Sequence, residues 1–117
     1  MSNLLAVDGD NFIAEILDAD RPVLLDCWAT WCGPCLRLGP ILEELASEEA
    51  DRLKIVKLDT DDQPELAHLL GIQILPTMLL FVDGVVEASL QGLHPKEAIL
   101  EHFGPWLKVR KSSGAGG

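Results

Sequence analysis

The sequence is poor in positive charge. It has 9 Lys and Arg residues against 19 Asp and Glu residues, which give a formal net charge of −10. Proteins that bind nucleic acid contact the phosphates through clustered Lys and Arg side chains, so this composition argues against a nucleic-acid partner. No apolar run approaches the roughly 18 residues that a membrane-spanning helix needs, so we expect no membrane partner either.

Cysteines are also few, and their number is odd. The three cysteines stand at positions 27, 32 and 35, whereas a secreted disulfide scaffold normally has an even number spread along the chain. Residues 1–8 have no basic stretch and only four consecutive apolar residues, which is not the pattern of a signal peptide. We therefore expect a reducing, cytoplasmic setting, in which a CxxC motif is catalytic or metal-binding.

Length and composition are those of an ordinary globular domain. The chain has 117 residues, of which 48% are hydrophobic and 24% charged, and this size is typical of one domain with its own core. We expect a single domain over residues 1–110 and a disordered C-terminal tail over residues 111–117.

Hydrophobic spacing predicts the element order βαβαβαββα. Strands are expected at residues 4–7, 23–28, 53–58, 77–82 and 85–90. Helices are expected at residues 11–17 (capped by Asp10), from the cysteine pair through Ala46, at 64–70 and at 96–107. Asp83-Gly84 is typical of a two-residue hairpin, which joins antiparallel strands. The pattern predicts a three-layer α/β/α fold around a mixed five-stranded sheet.

The segment Trp31-Cys32-Gly33-Pro34-Cys35 lies where a central strand ends and the longest helix begins. In an open α/β sheet, functional sites lie at the carboxyl ends of the strands. Cys32 would lie at the helix N-terminus, where free N–H groups and the helix dipole stabilise a thiolate. Cys35 follows one turn later on the same side, so it can resolve a mixed disulfide formed by Cys32.

Two further features bear on this motif. Pro34 has neither a charge nor an N–H group, so it stabilises the thiolate less than a cationic residue would, which favours a reductant. The alternative interpretation is half of a zinc site, which needs four ligands. We expect no metal, because no second pair has metal-ligand spacing among the side chains that remain, which are Cys27, His68, His94 and His102.

The chain resembles the thioredoxin family from about residue 4 to residue 107. The Trp-Cys-Gly-Pro-Cys motif, preceded by Asp26 and Trp28, is highly specific for that family. The resemblance implies the thioredoxin fold and a thiol–disulfide oxidoreductase that reduces protein disulfides through a reversible Cys32–Cys35 disulfide, with no bound cofactor. Three later features also fall where the family has counterparts: Ile74-Leu75-Pro76-Thr77, Asp83-Gly84 and Gly92.

Asp26 is a carboxylate within an apolar strand. Burial would raise its pKa and suit a proton acceptor near neutral pH, while the alternative is a solvated Asp on an exposed strand face. By resemblance, Asp26 serves Cys35 as a proton acceptor. Lys57 resembles the family lysine that approaches this aspartate, although one Lys in a strand is also typical of the protein surface.

Leu75-Pro76 resembles the cis-proline site of the family, beside the cysteines. The resemblance implies that the residue before the proline pairs its backbone with an extended segment of the target. The alternative is a proline at the start of a strand. Trp28 is expected both to shelter the site and to fill the core, and Trp31 to be partly exposed beside the cysteines.

Three positions depart from the family pattern. Cys27 stands where an aromatic residue is common, and we interpret it as a packing residue. Leu36 replaces a basic residue that often follows the motif, which removes a positive charge. Ile74 stands where a small residue is common and makes the rim of the site bulkier and more apolar, so it bears on which targets or reductase dock well.

The resemblance implies two kinds of partner, disulfide-containing target proteins and a thioredoxin reductase, either NADPH- or ferredoxin-linked. The chain has no nucleotide-binding glycine motif, so any NADPH stays with the reductase. We expect a monomer. The rival functions are an oxidase or isomerase on the same fold, which Gly33-Pro34 disfavours, a narrow-specificity reductase, and a binding module in which redox turnover is incidental.

Overall fold

The expected order of strands and helices is present in the computed structural model, which describes residues 3–107. The strands are β1 (Leu5–Ala6), β2 (Val23–Trp28), β3 (Lys54–Asp59), β4 (Thr77–Val82) and β5 (Val85–Gln91). The helices are α1 (Gly33–Glu48), α2 (Pro64–Leu69) and α3 (Lys96–Phe103). The tail expected over residues 111–117 lies outside the described residues.

The five strands form one mixed sheet in the order β1-β3-β2-β4-β5. β3 pairs in parallel with β1 and β2, whereas β4 pairs antiparallel with β2 and β5. All six residues of β2 are buried, because this central strand is covered on both faces. The prediction of a mixed five-stranded sheet is confirmed.

Alternate residues of β2 face two separate hydrophobic clusters. Leu24 packs with residues of α1 and α3, while Val23 and Leu25 pack on the other face with Ile16 of the first helical turn. These two clusters form the layers on either side of the sheet, as the three-layer prediction requires. Among residues 3–107, no helix has both the length and the apolar composition to cross a membrane.

The turn between β4 and β5 has the backbone that its sequence predicts. Asp83 has φ 52° and Gly84 has φ 81°, so both central residues occupy the left-handed region that the favoured two-residue hairpin requires. Gly84 is also close to Leu17, whose carbonyl oxygen would lie 3.4 Å from a Cβ at that position. The hairpin prediction is confirmed.

The first helix differs from the prediction in length and in its cap. It is a short π-helix over Ile13–Leu17, in which the Asp18 N–H donates to the Ile13 carbonyl at 2.8 Å. The prediction that Asp10 caps it was wrong. The Asp8 carboxylate instead accepts from the N–H groups of Asp10 and Asn11, at 2.8 and 3.0 Å, as Asp side chains do in turns.

The last helix is shorter than predicted. α3 ends at Phe103, and a 3-10 turn over Gly104–Trp106 follows it. Pro105 has no N–H to donate to a carbonyl of the preceding turn, so the α-helical ladder stops there. Leu107 is nevertheless buried with the α1 and α3 side chains, so the apolar face continues to the predicted residue.

Candidate active site

Cys32 and Cys35 form a disulfide at the start of α1, with their Cα atoms 5.2 Å apart. Cys32 is the N-cap residue, and its sulfur accepts a hydrogen bond from the Cys35 N–H at 3.2 Å. In the reduced protein, the same N–H and the helix dipole would stabilise negative charge on this sulfur. Cys32 therefore lies at the helix terminus, as its place in the motif predicts.

Both cysteines are nearly covered by protein. Cys32 is 5% exposed and Cys35 is 2% exposed, and the two form one buried cluster with Trp28 and Ala29, against which Leu75 packs. Cys35 is the more shielded of the two, but the difference is small. The position of Cys32 at the helix cap thus distinguishes the two sulfurs better than exposure does.

Asp26 is buried in the centre of the sheet, only 4% exposed, and its Oδ1 has no hydrogen-bond partner among the described residues. Burial raises the pKa of this carboxyl from 3.8 to about 7, and the positive charge of Lys57 partly opposes that rise. Of the two interpretations of Asp26, the buried one is therefore right. At neutral pH, the group can both accept and release a proton.

Lys57 lies next to Asp26 in the sheet, because the register of β2 and β3 pairs the two residues. Its Nζ lies 5.6 Å from the centre of the Trp28 ring, within the range of a cation–π interaction. Trp28 is buried, and its Nε1 has no hydrogen-bond partner among residues 3–107. Lys57 thus interacts both with the buried carboxyl of Asp26 and with the tryptophan that packs against the disulfide.

A second segment meets the disulfide from the side of β4. The Leu75–Pro76 peptide bond is cis, Pro76 is buried, and Leu75 packs against the cluster that contains both cysteines. The Pro76 carbonyl accepts from the Gly92 N–H at 2.9 Å. Gly92 has φ 92°, a backbone conformation that favours glycine. This segment and the start of α1 form two sides of one site.

The rim of the site is apolar and exposed. Trp31 is 69% exposed and Ile74 is 53% exposed, and Leu36 is also exposed. Trp31 is not loose, because its Nε1 donates to Asp61 Oδ2 at 2.7 Å. We expected Trp31 to be partly exposed, and it is exposed over most of its surface. Gly33 and Pro34, between the cysteines, are exposed as well.

Sequence reasoning missed two residues at this site. Asp61 is 30 residues from Trp31 in the chain, so no local pattern indicates their hydrogen bond. Arg37 places a guanidinium nitrogen 3.9 Å from the position of a Cβ on Gly33. That contact has a sequence signal, since residues four apart in a helix are neighbours on its surface.

Cys27 lies away from the disulfide and is fully buried. It packs with Val23, Leu25 and other apolar residues on the sheet face opposite Asp26. Burial, with a smaller contribution from the Asp26 charge, raises the pKa of this thiol to about 12. Cys27 is therefore a neutral core side chain near neutral pH, as the packing interpretation expects.

Within residues 3–107, no three or more His, Cys, Asp or Glu side chains are grouped so that they could hold a metal ion. Two of the histidines considered for a zinc site contact the backbone instead. His94 Nε2 bonds to the Gln91 carbonyl oxygen and His102 Nε2 to that of Ser89, each at 2.7 Å. The zinc interpretation of the CxxC motif thus finds no ligand set in this part of the chain.

Comparison with known proteins agrees with this geometry. Residues 3–104 match the family model described as Thioredoxin. Thioredoxin from Chlorobaculum thiosulfatiphilum is 45% identical over 98 residues, covering 80% of this chain and 91% of that protein. Thioredoxin 1 from Synechococcus elongatus is 39% identical over 99 residues, covering 85% and 92%. A bifunctional thioredoxin reductase/thioredoxin from Mycobacterium leprae is 43% identical over 96 residues, covering 82% of this chain and 21% of that protein.

Proposed function

Because this chain belongs to the thioredoxin family and is a thiol–disulfide oxidoreductase that reduces protein disulfides, we propose a role for each cysteine. Cys32 is the attacking thiolate and Cys35 is the resolving thiol. The observation that carries this assignment is the hydrogen bond from the Cys35 N–H to the Cys32 sulfur at the N-cap of α1. A helix N-terminus stabilises a thiolate, and only the thiolate attacks a disulfide.

The reaction begins with the reduced protein. The Cys32 thiolate attacks one sulfur of the target disulfide, so a mixed disulfide forms and the other target sulfur leaves as a thiolate. Cys35 then loses its proton and attacks the Cys32 sulfur, which releases the second target thiolate. The target gains two electrons, and the Cys32–Cys35 disulfide forms.

Asp26 accepts the proton that Cys35 loses. Its pKa of about 7 supports this role, since a general base works best when its pKa is near the operating pH. Lys57 is a positioning residue: its charge keeps the pKa of Asp26 from rising further, and the Trp28 ring holds its ammonium group nearby. Trp28 shelters the sulfurs from water.

The target lies across the rim of the site in an extended conformation. Its backbone pairs with that of Leu75, the residue before Pro76, in the manner of an added strand. The large exposed surfaces of Trp31 and Ile74 support this proposal, because apolar surface beside a reactive group is typical of a binding site. The glycines and proline of the rim, Gly33, Pro34 and Gly92, let the target backbone approach closely.

A thioredoxin reductase returns the protein to its dithiol form. The name of the Mycobacterium leprae relative joins the two activities, which supports such a partnership here. In this proposal the protein is a monomeric, cytoplasmic electron carrier, and residues 1–110 form its single domain. Its targets are disulfide-containing proteins, and it needs no resident cofactor.

Dithiothreitol-driven reduction of insulin tests the proposal. The parent should accelerate the reduction, and Cys32→Ser should abolish the acceleration because the attacking sulfur is lost. Cys27→Ala is the matched control, since it removes a thiol outside the site. If Cys32→Ser kept full activity in the cell while losing insulin turnover, the binding-module function would replace this one.

A further inference from the structure

Arg37 brings a positive charge to the cysteine motif. The residue lies on α1, and its Nη1 is 3.9 Å from the position of a Cβ on Gly33. Gly33 directly follows the N-cap Cys32 and is exposed. The substitution by Leu36 was expected to remove a positive charge from this place, yet the guanidinium of the next residue supplies one. Gly33 and Pro34 are the exposed residues between the two buried cysteines, so the guanidinium lies at the exposed part of the motif.

Arg37 also differs from the other basic side chains. Of the six Arg and Lys residues between positions 3 and 107, four form ion pairs: Arg21, Arg52, Lys54 and Lys96. Lys57 faces the Trp28 ring and the Asp26 charge. The Arg37 side chain forms no ion pair and no hydrogen bond with any other residue between positions 3 and 107.

The sequence of α1 explains why Arg37 has no acidic partner. An Arg on a helix surface reaches side chains three or four residues away. Here those positions carry no charge: they are Gly33, Pro34, Pro40 and Ile41. In a protein with 19 acidic residues and 9 basic ones, the local sequence leaves this guanidinium unneutralised beside the reactive cysteine.

We propose that Arg37 is a specificity-determining residue, which favours target disulfides that carry a carboxylate next to the attacked cysteine. This inference rests on the proposed role of Cys32 as the nucleophile. The carboxylate of such a target would lie near the exposed Gly33 and form a charge-assisted hydrogen bond with the guanidinium. Docking removes water from the pair and strengthens it beyond an exposed ion pair.

The net negative charge of the protein does not oppose this preference. At physiological ionic strength, charges more than about 8 Å apart are largely screened. The charged group nearest to the target therefore determines which target charge is preferred. The Asp61 carboxylate is also at the rim and keeps its negative charge, but it lies against Trp31, the residue before Cys32, whose indole donates to it. The guanidinium is the charged group that lies against Gly33, so a target that passes over Gly33 meets this positive charge.

Short disulfide-linked peptide pairs test the proposal. The residue after each cysteine is Glu, Gln or Lys, and kcat/KM is measured with dithiothreitol as the reductant, after subtraction of the rate without protein. The parent should prefer the Glu pair over the Lys pair by roughly three- to tenfold, in the range of a surface ion pair strengthened by docking. Arg37→Gln should abolish the preference through KM, Arg37→Glu should reverse it, and Arg37→Lys should restore part of it.

Arg52→Gln is the matched control. It removes one positive charge beyond the far end of α1, which is about 24 Å long at 1.5 Å per residue, and it should leave the Glu-to-Lys ratio unchanged. An equal ratio in the parent and Arg37→Gln would overturn the proposal. A second result would also overturn it: in Arg37→Gln, kcat/KM changes by the same factor for all three peptide pairs, and the pH profile of Cys32 alkylation shifts. That result would mean that Arg37 acts on the Cys32 thiolate and not on the target. A parent that fails to reduce the Gln pair would contradict the proposed function itself.

Discussion

Asp26 and Cys27 are neighbours in β2, but their side chains lie on opposite faces of the sheet. Both are buried, and burial raises the pKa of both. The pKa of Asp26 rises from 3.8 to about 7, whereas that of Cys27 rises from 9.0 to about 12. The same physical effect therefore brings one group into the neutral range and takes the other out of it.

The surroundings of the two groups complete the difference. Asp26 is on β2, the strand that leads to the cysteine motif, and it lies beside Lys57 of β3. Cys27 is surrounded by apolar side chains of the opposite cluster. Burial alone thus does not make a buried titratable group part of a site. In the proposed mechanism, the ordinary pKa of each group and its position relative to the disulfide explain why Asp26, and not Cys27, exchanges a proton.

The sharpest test of this comparison removes one thiol at a time. Cys35→Ser should reduce insulin turnover by about 10³-fold or more, since the mixed disulfide can no longer be resolved from within the protein. Cys27→Ala should stay within about twofold of the parent, because its thiol is neutral and lies on the other face. When the reduced proteins are mixed with target in the absence of dithiothreitol, mixed disulfides should accumulate in Cys35→Ser only. A large loss of turnover in Cys27→Ala would break the comparison.

The second test concerns stability and uses the oxidised protein. The folded-state pKa of Asp26 lies above its ordinary value, so the folded state holds the proton more tightly than the unfolded state does. The contribution of protonated Asp26 to the free energy of unfolding is therefore full below about pH 4, and it is lost as the pH rises through about 7. The shift from 3.8 to about 7 corresponds to about 4 kcal/mol.

Asp26→Asn removes this pH dependence. The free energy of unfolding of the variant, minus that of the parent, should increase by about 4 kcal/mol between pH 4 and pH 8. Urea unfolding at several pH values measures the difference, and Cys27→Ala should show no such increase over the same range. A difference independent of pH would mean that Asp26 is not a buried group with a raised pKa.

The third test separates the two steps of the reaction. If Asp26 accepts the Cys35 proton, Asp26→Asn should slow the release of reduced target by roughly 10²-fold at pH 7, the lower end of general-base effects. The attack by Cys32 should change far less. Single-turnover measurements from pH 6 to 9 should also lose the ionisation near pH 7. Equal slowing of both steps would place the effect on the nucleophile instead.

How much of this the sequence predicts depends on the distance of each contact along the chain. Local patterns predict the strand over residues 23–28, the Asp83-Gly84 hairpin and the place of the cysteine motif between a strand and a helix, and each of these predictions is confirmed. The hydrogen bond of Trp31 to Asp61 joins residues 30 positions apart, and no local pattern contains it.

Asp26 shows a different limit of sequence reasoning. In a strand exposed on one face, alternation would place a lone carboxylate in solvent. β2 is buried on both faces, so alternation cannot distinguish an inward from an outward residue there. Only the neighbouring strands β3 and β4, brought together by the fold, show that the carboxyl is buried.

The smallest expected effect belongs to Cys27 and appears only at high pH. Its folded-state pKa of about 12 exceeds its ordinary value of 9.0, so this thiol stays protonated in the folded state while it ionises in the unfolded one. Its contribution to stability is full below pH 9 and is lost as the pH rises above that value. At pH 10 the loss should be about 1 kcal/mol. Urea unfolding of the parent and Cys27→Ala at pH 7 and pH 10 measures it, and a constant difference between them would mean that the Cys27 thiol ionises equally in both states.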